Sequence, residues 1–266
     1  MKIILSRKGF DSSNGKIPSP IMPDGALLSM PIKSTDTLTF DALKYGDCTY
    51  AEILRQLAPK LQYTNCHLDP DIRENVRINA VQGWKPAFGQ IDKAQGYLNN
   101  RNVKSGDLFL FFGRFQKTIG DPLDKTLRFD KTAPILHVIY GYMEIGEIIP
   151  SDKIADRQYT WHPHGCGERL NDKTNTIYIP AKTLSFDQSR SGWGAFDYSQ
   201  ELVLTMSGKT ATWHEIPALM PNNLAFSNKK NSAKNQGLYY AGQWQELVLK
   251  ENVISEEWAK SFFRKI

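Results

Sequence analysis

Apolar residues along this chain fall into runs of two kinds, and their spacing predicts most of the regular elements. Leu108 to Phe112 is an unbroken apolar run between Gly106-Asp107 and Gly113-Arg114, which suits a strand covered on both faces. Lys2 to Leu5 reads as a short strand. Ile135 to Ile149, rich in β-branched and aromatic residues, reads as a long strand or hairpin bent at Gly141 and Gly146. Ile177-Tyr178-Ile179 is a further strand, and the identical pentapeptides Gln200 to Leu204 and Gln245 to Leu249 read as two similar strands whose flanks do not match. Helical spacing occurs three times. Thr49 and Glu52 form a capping-box pattern ahead of Ile53, Leu54, Leu57 and Leu61, predicting a helix over 50–58 with Pro59 near its end. Ile91, Ala94, Gln95 and Leu98 share one face of a helix over 89–99 that stops at Asn99-Asn100. Ser255, with Glu256 and Glu257 in the first turn, predicts a capped helix over 255–264 anchored by Trp258 and Phe262.

Long polar stretches separate these elements. Pro18-Ser19-Pro20 and Pro23-Asp24-Gly25 impose extended and turn conformations on the first of them. Residues 116–133 read as an excursion or a small hairpin, and Gly192 to Phe196 as a glycine and aromatic turn able to close a pocket. Lys229, Lys230 and Lys234, in a Ser/Asn-rich segment without acids, read as a solvated loop or a phosphate-contacting arm. The element order predicts an α+β fold, a curved mixed or mainly antiparallel sheet with packed helices, forming one domain over 1–266. Loops 6–34, 62–88 and 150–175 are expected to converge on one side as the site.

Composition changes this picture little. With 41% apolar and 23% charged residues among 266, the chain has ample material for a core and no low-complexity tract. A net charge of +5 favours an anionic partner without the density of a nucleic-acid-coating protein. Three widely spaced cysteines, Cys48, Cys66 and Cys166, build neither a disulfide framework nor a zinc ribbon, and no apolar run has membrane-spanning length. A cytoplasmic protein that avoids the membrane is the expectation.

The loops carry the candidate chemistry. Arg7, Lys8, Asp11 and Ser12 follow the first strand in a glycine-containing loop that lacks the GxxxxGK[ST] phosphate motif. His67, Asp69 and Asp71 place an imidazole and two carboxylates within five residues, a set suited to acid–base work or a divalent metal, while Asp-Pro-Asp is also a turn signal. Trp84, Lys85, Phe88 and Gln90 offer aromatic, cationic and amide groups, and Arg114 and Phe115 close the apolar strand. His162, His164, Cys166 and Glu168 crowd one loop, although HxHxC is not the spacing of a structural zinc site.

Several strings together resemble the third nucleotide modification associated domain family. They are SRKGFDSSNGKIPSPIMPDG at 6–25, HLDPD at 67–71, GWKPAFGQ at 83–90, AQGYL at 94–98, GDLFLFFGRF at 106–115, HPH at 162–164 and GQWQELVL at 242–249. The resemblance covers nearly the whole chain and implies a bacterial or phage context of nucleic-acid modification or defence. Locally, VKSGDLFLFF followed by a strand ending IGEII is similar to EVE and PUA-like domains, small mixed barrels that hold a modified base in an aromatic-lined pocket. The expected function is recognition or processing of a nucleotide or nucleic acid. Trp84, Phe88 and Phe115 would stack the base, Gln90 would read its edge, and Arg7, Lys8, Ser12, Lys85 and Arg114 would hold phosphate. Two alternatives stand beside it. One is a hydrolase or transferase working through Asp11, His67 and Asp69, with a divalent metal at His162 and His164. The other is a non-catalytic scaffold subunit.

Overall fold

The structure, a computed structural model, describes residues 1–157, 159–206, 209–225, 237–240 and 245–264. Lys229, Lys230 and Lys234 lie outside the described residues, as do residues 242–244 of the GQWQELVL string.

Along the chain the elements used below are β1 (Ile3–Arg7), β2 (Ser19–Ile21), β3 (Ile32–Lys33), α1 (Tyr50–Leu57), β4 (Cys66–His67), β5 (Phe88–Gln90) and α2 (Asp92–Asn100). They continue with β6 (Leu108–Ile119), β7 (Leu136–Pro150), α3 (Ser151–Ile154), β8 (Thr176–Pro180), β9 (Trp193–Ala195), β10 (Glu246–Val248) and α4 (Val253–Ser261). The fold is α+β. Among the described residues its main sheet has nine strands, with the path β10-β1-β6-β7-β8-β5, with β2 and the two-residue strand Arg128–Phe129 joined to β6, and with β9 joined to β7. The sheet is mixed: β1 runs parallel to β6, Ile3 opposite Leu108 and Arg7 opposite Phe112, while β6 and β7 are antiparallel.

The apolar run explains the position of β6. Leu108 to Phe112 are fully buried, as a strand covered on both faces requires. The Gly106-Asp107 pair before it is a structural hinge: Gly106 has φ +85°, and buried Asp107 accepts the amides of Lys2 at 2.8 Å and Lys104 at 2.9 Å. In β7 the pairing shifts register between Ile139 and Gly141 and again between Ile145 and Glu147, so the glycines do mark the bends of a long strand. The small hairpin after β6 is present, with Thr118 opposite Phe129, but its first four residues extend the strand itself to Ile119.

Four sequence expectations are corrected. Phe88–Gln90 is a strand paired with β8, so α2 begins at Asp92 rather than near 89. Asn252, whose side chain accepts the Ser255 amide at 2.9 Å, caps α4 in place of Ser255. Gln200–Leu202 is a 3-10 turn capped by Ser199, so only the second pentapeptide contributes a main-sheet strand, β10. Trp193–Ala195 is not a closing turn but a strand on β7.

The capping box at α1 is complete. Thr49 Oγ1 accepts the Glu52 amide at 3.1 Å, and Glu52 accepts the Thr49 amide at 2.7 Å. Tyr50, Ile53 and Leu54 then bury one face of α1 in a second core shared with Phe10, Phe40 and Leu68, which braces the loops above the sheet. Thr49→Ala is expected to lower stability by about 0.5–2 kcal/mol. A lower denaturant midpoint at unchanged slope is the measurement that shows it.

Cys48, Cys66 and Cys166 are free thiols, and among the described residues no helix is long and apolar enough to cross a membrane.

Candidate functional site

The site is assembled from segments far apart in sequence. β4 pairs with β3, Ile32 opposite His67, which brings the segment after β3 against the His67 ring. His67 Nδ1 lies 2.7 Å from Asp36 Oδ2. The carboxylate only accepts, so Nδ1 carries a proton and Nε2 faces the opposite way. Arg169 donates to the second Asp36 oxygen at 2.5 Å and to the Pro163 carbonyl at 3.2 Å. Burial would raise the Asp36 carboxyl, but the hydrogen bonds from His67 and Arg169 outweigh it and hold the group well below the usual carboxylate range.

The second imidazole comes from the loop after α3. Pro163 starts a short 3-10 turn, and His162 caps it by accepting the His164 amide on Nδ1 at 3.2 Å. His164 Nδ1 lies 2.7 Å from Asn175 Oδ1, while Asn175 Nδ2 donates to the His164 carbonyl at 2.9 Å. The second bond orients the amide, so Asn175 Oδ1 is the acceptor and His164 Nδ1 the donor. Burial pushes the His164 pKa down to about 3 despite the neighbouring Asp69, leaving a neutral ring.

Asp69 occupies the centre. Gly89 donates its amide to Asp69 Oδ1 at 2.8 Å, and His162 Nε2 stands 3.5 Å from the same oxygen. Asp69 Oδ2 faces His67 Nε2 and His164 Nε2, each at 3.9 Å, and one ligand atom from each of the three residues lies within 4.8 Å of the others. Burial would raise this carboxyl, but the His162 contact and the imidazoles around it hold it well below the usual range. Gly89 is there for space as well as for its amide: a Cβ would stand 2.1 Å from His164 Cγ and Cδ2.

This floor opens into a cleft of about 510 Å³. Arg7 and Lys8 from the end of β1, Lys33 from β3 and Arg169 line its walls, with Asp11, Gln90 and Gln245. The three long loops therefore do meet on one side. Asp11 both lines the cleft and shapes its rim, because Oδ1 accepts the amides of Ser13 and Asn14 while Oδ2 pairs with Arg7 at 3.5 Å. Lys8 lies over the Phe88 ring at 4.5 Å and donates at 3.2 Å to Glu246, which also accepts from Ser6 and Gln90. Glu246 is buried, so this carboxylate ties the wall to the sheet.

Of the residues proposed from sequence, Arg7, Lys8, Asp11, His67, Asp69, Gln90 and His164 line this cleft, and His162 lies buried beneath it. The others do not line it. Ser12 is exposed on the turn. Trp84 turns to buried Asp71, donating at 3.0 Å beside Trp161, and Lys85 is exposed next to it in the chain. Asp71, pushed up by burial and paired with Arg77 at 2.6 Å, anchors that loop, so the two carboxylates of HLDPD separate into different surroundings. Arg114 is half-buried on β6, which lowers its pKa. Phe88 and Phe115 are fully buried core residues rather than stacking platforms. Asp36, Gly89, Arg169, Asn175 and Glu246 escaped sequence reasoning. Gly89 stands inside a recognised string, whereas Asp36 and Asn175 sit in Ser/Thr-rich and turn segments with no local signature.

No curated protein and no solved structure matches the chain. Residues 2–250 do match the family model for nucleotide modification associated domain 3, and the chain belongs to that family.

Proposed function

We propose that the cleft takes one nucleotide, free or displaced from DNA or RNA, and that the Asp69–imidazole floor processes it within a bacterial or phage nucleic-acid modification or defence system in the cytoplasm. The observation that carries this reading is the pairing of a cationic wall, Arg7, Lys8, Lys33 and Arg169, with an acid and imidazole floor in one cleft. Phosphate suits the wall, since charge-assisted bonds to Arg and Lys are the strong ones. Gln90 lines the same wall with its amide nitrogen bonded to Glu246 at 2.7 Å, and we assign its remaining amide valences to a base edge. Hydrolysis or group transfer is the reaction type favoured over simple recognition, because Asp11, His67 and Asp69 share the cleft and supply acid–base groups beside the phosphate wall.

The test is equilibrium binding of nucleoside monophosphates and short single-stranded oligonucleotides across a range of salt. Arg7→Ala is expected to weaken binding about tenfold or more and to make the salt slope shallower by about 0.7 for each phosphate of a single strand that it no longer neutralises. Lys85→Ala, off the cleft, should leave both unchanged. Absence of nucleotide binding, or an Arg7→Ala variant with wild-type affinity and slope, sinks the proposal.

A further inference from the structure

Two imidazole lone pairs and one carboxylate oxygen converge at the cleft floor with no donor between them. His67 and His164 have each committed Nδ1–H to a fixed acceptor, Asp36 Oδ2 and Asn175 Oδ1, both at 2.7 Å. In its neutral form each ring then presents its Nε2 lone pair to Asp69 Oδ2, at 3.9 Å on each side. Asp69 Oδ1 is already occupied by the Gly89 amide at 2.8 Å and by His162 at 3.5 Å, which turns Oδ2 toward the imidazoles. Three acceptors held face to face in a buried place repel one another, and a cation between them reverses the sign of that interaction.

From this geometry we infer that His67 Nε2, His164 Nε2 and Asp69 Oδ2 hold a divalent transition-metal ion. Donors of a tetrahedral ion at about 2.0–2.1 Å stand about 3.4 Å apart, so the two 3.9 Å edges close with a shift of about half an ångström and the edge between the imidazoles, within 4.8 Å, with at most about 1.4 Å. Two neutral imidazoles select zinc, iron, cobalt or nickel over magnesium and calcium, which prefer oxygen donors throughout. Two His and one carboxylate leave coordination positions open to the cleft, as in sites that act on a substrate rather than brace a fold.

Each ligand also has the outer partner that such sites use. Asp36 orients His67 and is itself held by Arg169 at 2.5 Å, Asn175 orients His164, and Gly89 orients Asp69. His162 is a positioning residue and not a ligand. Its Nδ1 accepts the His164 amide at 3.2 Å, which leaves its Nε2–H directed at the Asp69 oxygen opposite the ion. Cys166 stays outside the set, with Sγ donating to the His162 carbonyl at 3.5 Å.

This inference does not depend on the nucleotide reading, because the probe is the metal alone. Purified chain stripped of metal is titrated with Co(II), Zn(II) and Mg(II), and binding is followed by cobalt absorption, calorimetry and elemental analysis. The expected result is one Co(II) or Zn(II) per chain, unaffected by Mg(II). Loss of binding is expected in His67→Ala, His164→Ala and Asp69→Asn, with about 10–100-fold weaker binding in Asn175→Ala. X-ray absorption of the loaded wild-type protein, which needs no variant to fold, should show two imidazoles and no sulfur. Substoichiometric binding, displacement by Mg(II), a sulfur ligand, or fewer than two imidazoles each overturns the assignment. Metal binding without nucleotide binding would leave it standing and remove only the nucleotide proposal.

Discussion

Gly89→Ala is expected to unfold the floor of the cleft at a cost of about 1–3 kcal/mol, the range for forcing one extra carbon into a packed interior. The added Cβ would sit 2.1 Å from His164 Cγ and Cδ2 and 2.7 Å from Nδ1. The ring has nowhere to retreat, because Asn175 holds Nδ1 at 2.7 Å and the residue is buried. Either the ring swings off Asn175 or β5 leaves its register with β8, and in both cases the Gly89 amide moves away from Asp69. The denaturant midpoint should fall with the slope unchanged, and nucleotide affinity should fall with it. Gly96→Ala is the matched control. It lies within α2 with nothing within 4 Å of the added carbon, so it should gain roughly 0.5–1 kcal/mol of helix propensity instead. Equal effects at the two glycines would remove the steric explanation.

The second large effect is an acid transition set by His137. This ring is buried among Phe112, Trp213 and Tyr240, and its Nδ1 accepts the Trp213 indole N–H at 3.0 Å, which fixes the neutral tautomer. Burial, aided by the charges of Arg7 and Arg114, pushes its pKa down to about 3. The unfolded chain takes up a proton near the ordinary value of about 6.5, so between these values the unfolded state binds more protons than the folded one. The stability contributed by this group is therefore complete above about pH 6.5 and declines as pH falls toward 3, by a total on the order of 5 kcal/mol. His164, depressed in the same direction, adds to the same window. His137→Gln keeps an acceptor for Trp213 but removes the titration, so its stability should vary less with pH than that of the wild type. Parallel pH profiles for the two proteins would show that the acid loss arises elsewhere.

Much of the framework was legible because it rests on local rules. Leu108 to Phe112 suits a strand covered on both faces, Thr49 with Glu52 has the pattern that opens a helix, and Gly141 and Gly146 fall where β7 changes register. Errors arose where two local rules competed. Ser255 is a good cap, but Asn252 lies where the chain is extended and reaches the Ser255 amide first. Phe88 to Gln90 joins smoothly to a helical pattern, yet pairing with β8 claims its backbone.

The site was legible as residue types and not as an arrangement. His67, Asp69 and His164 each drew notice in its own loop, but their meeting depends on β3–β4 and β5–β8 pairing across long sequence separations. The HPH string suggested two ligands side by side. A 3-10 turn instead uses the first ring as its cap and sends the second into the floor, where its partner imidazole arrives from residue 67. The aromatic residues near the basic ones suggested a stacking platform, but the pleat of β5 turns Phe88 and Gln90 to the same face, where Phe88 is packed among Phe109, Phe111 and Tyr178 and Gln90 lies at the edge that borders the cleft.

The placement of β1 has a consequence for how the protein is made. β1 precedes both of its partners in the chain, yet it lies inside the sheet, with β6 on one side and β10 on the other. Its first partner is not synthesised until residue 108, and its second not until residue 246. Vectorial synthesis favours folding from the N-terminal side, but β1, an apolar strand, must wait for both of these partners. The cationic end of that strand, Arg7 and Lys8, reaches its place on the cleft only when Glu246 has been added.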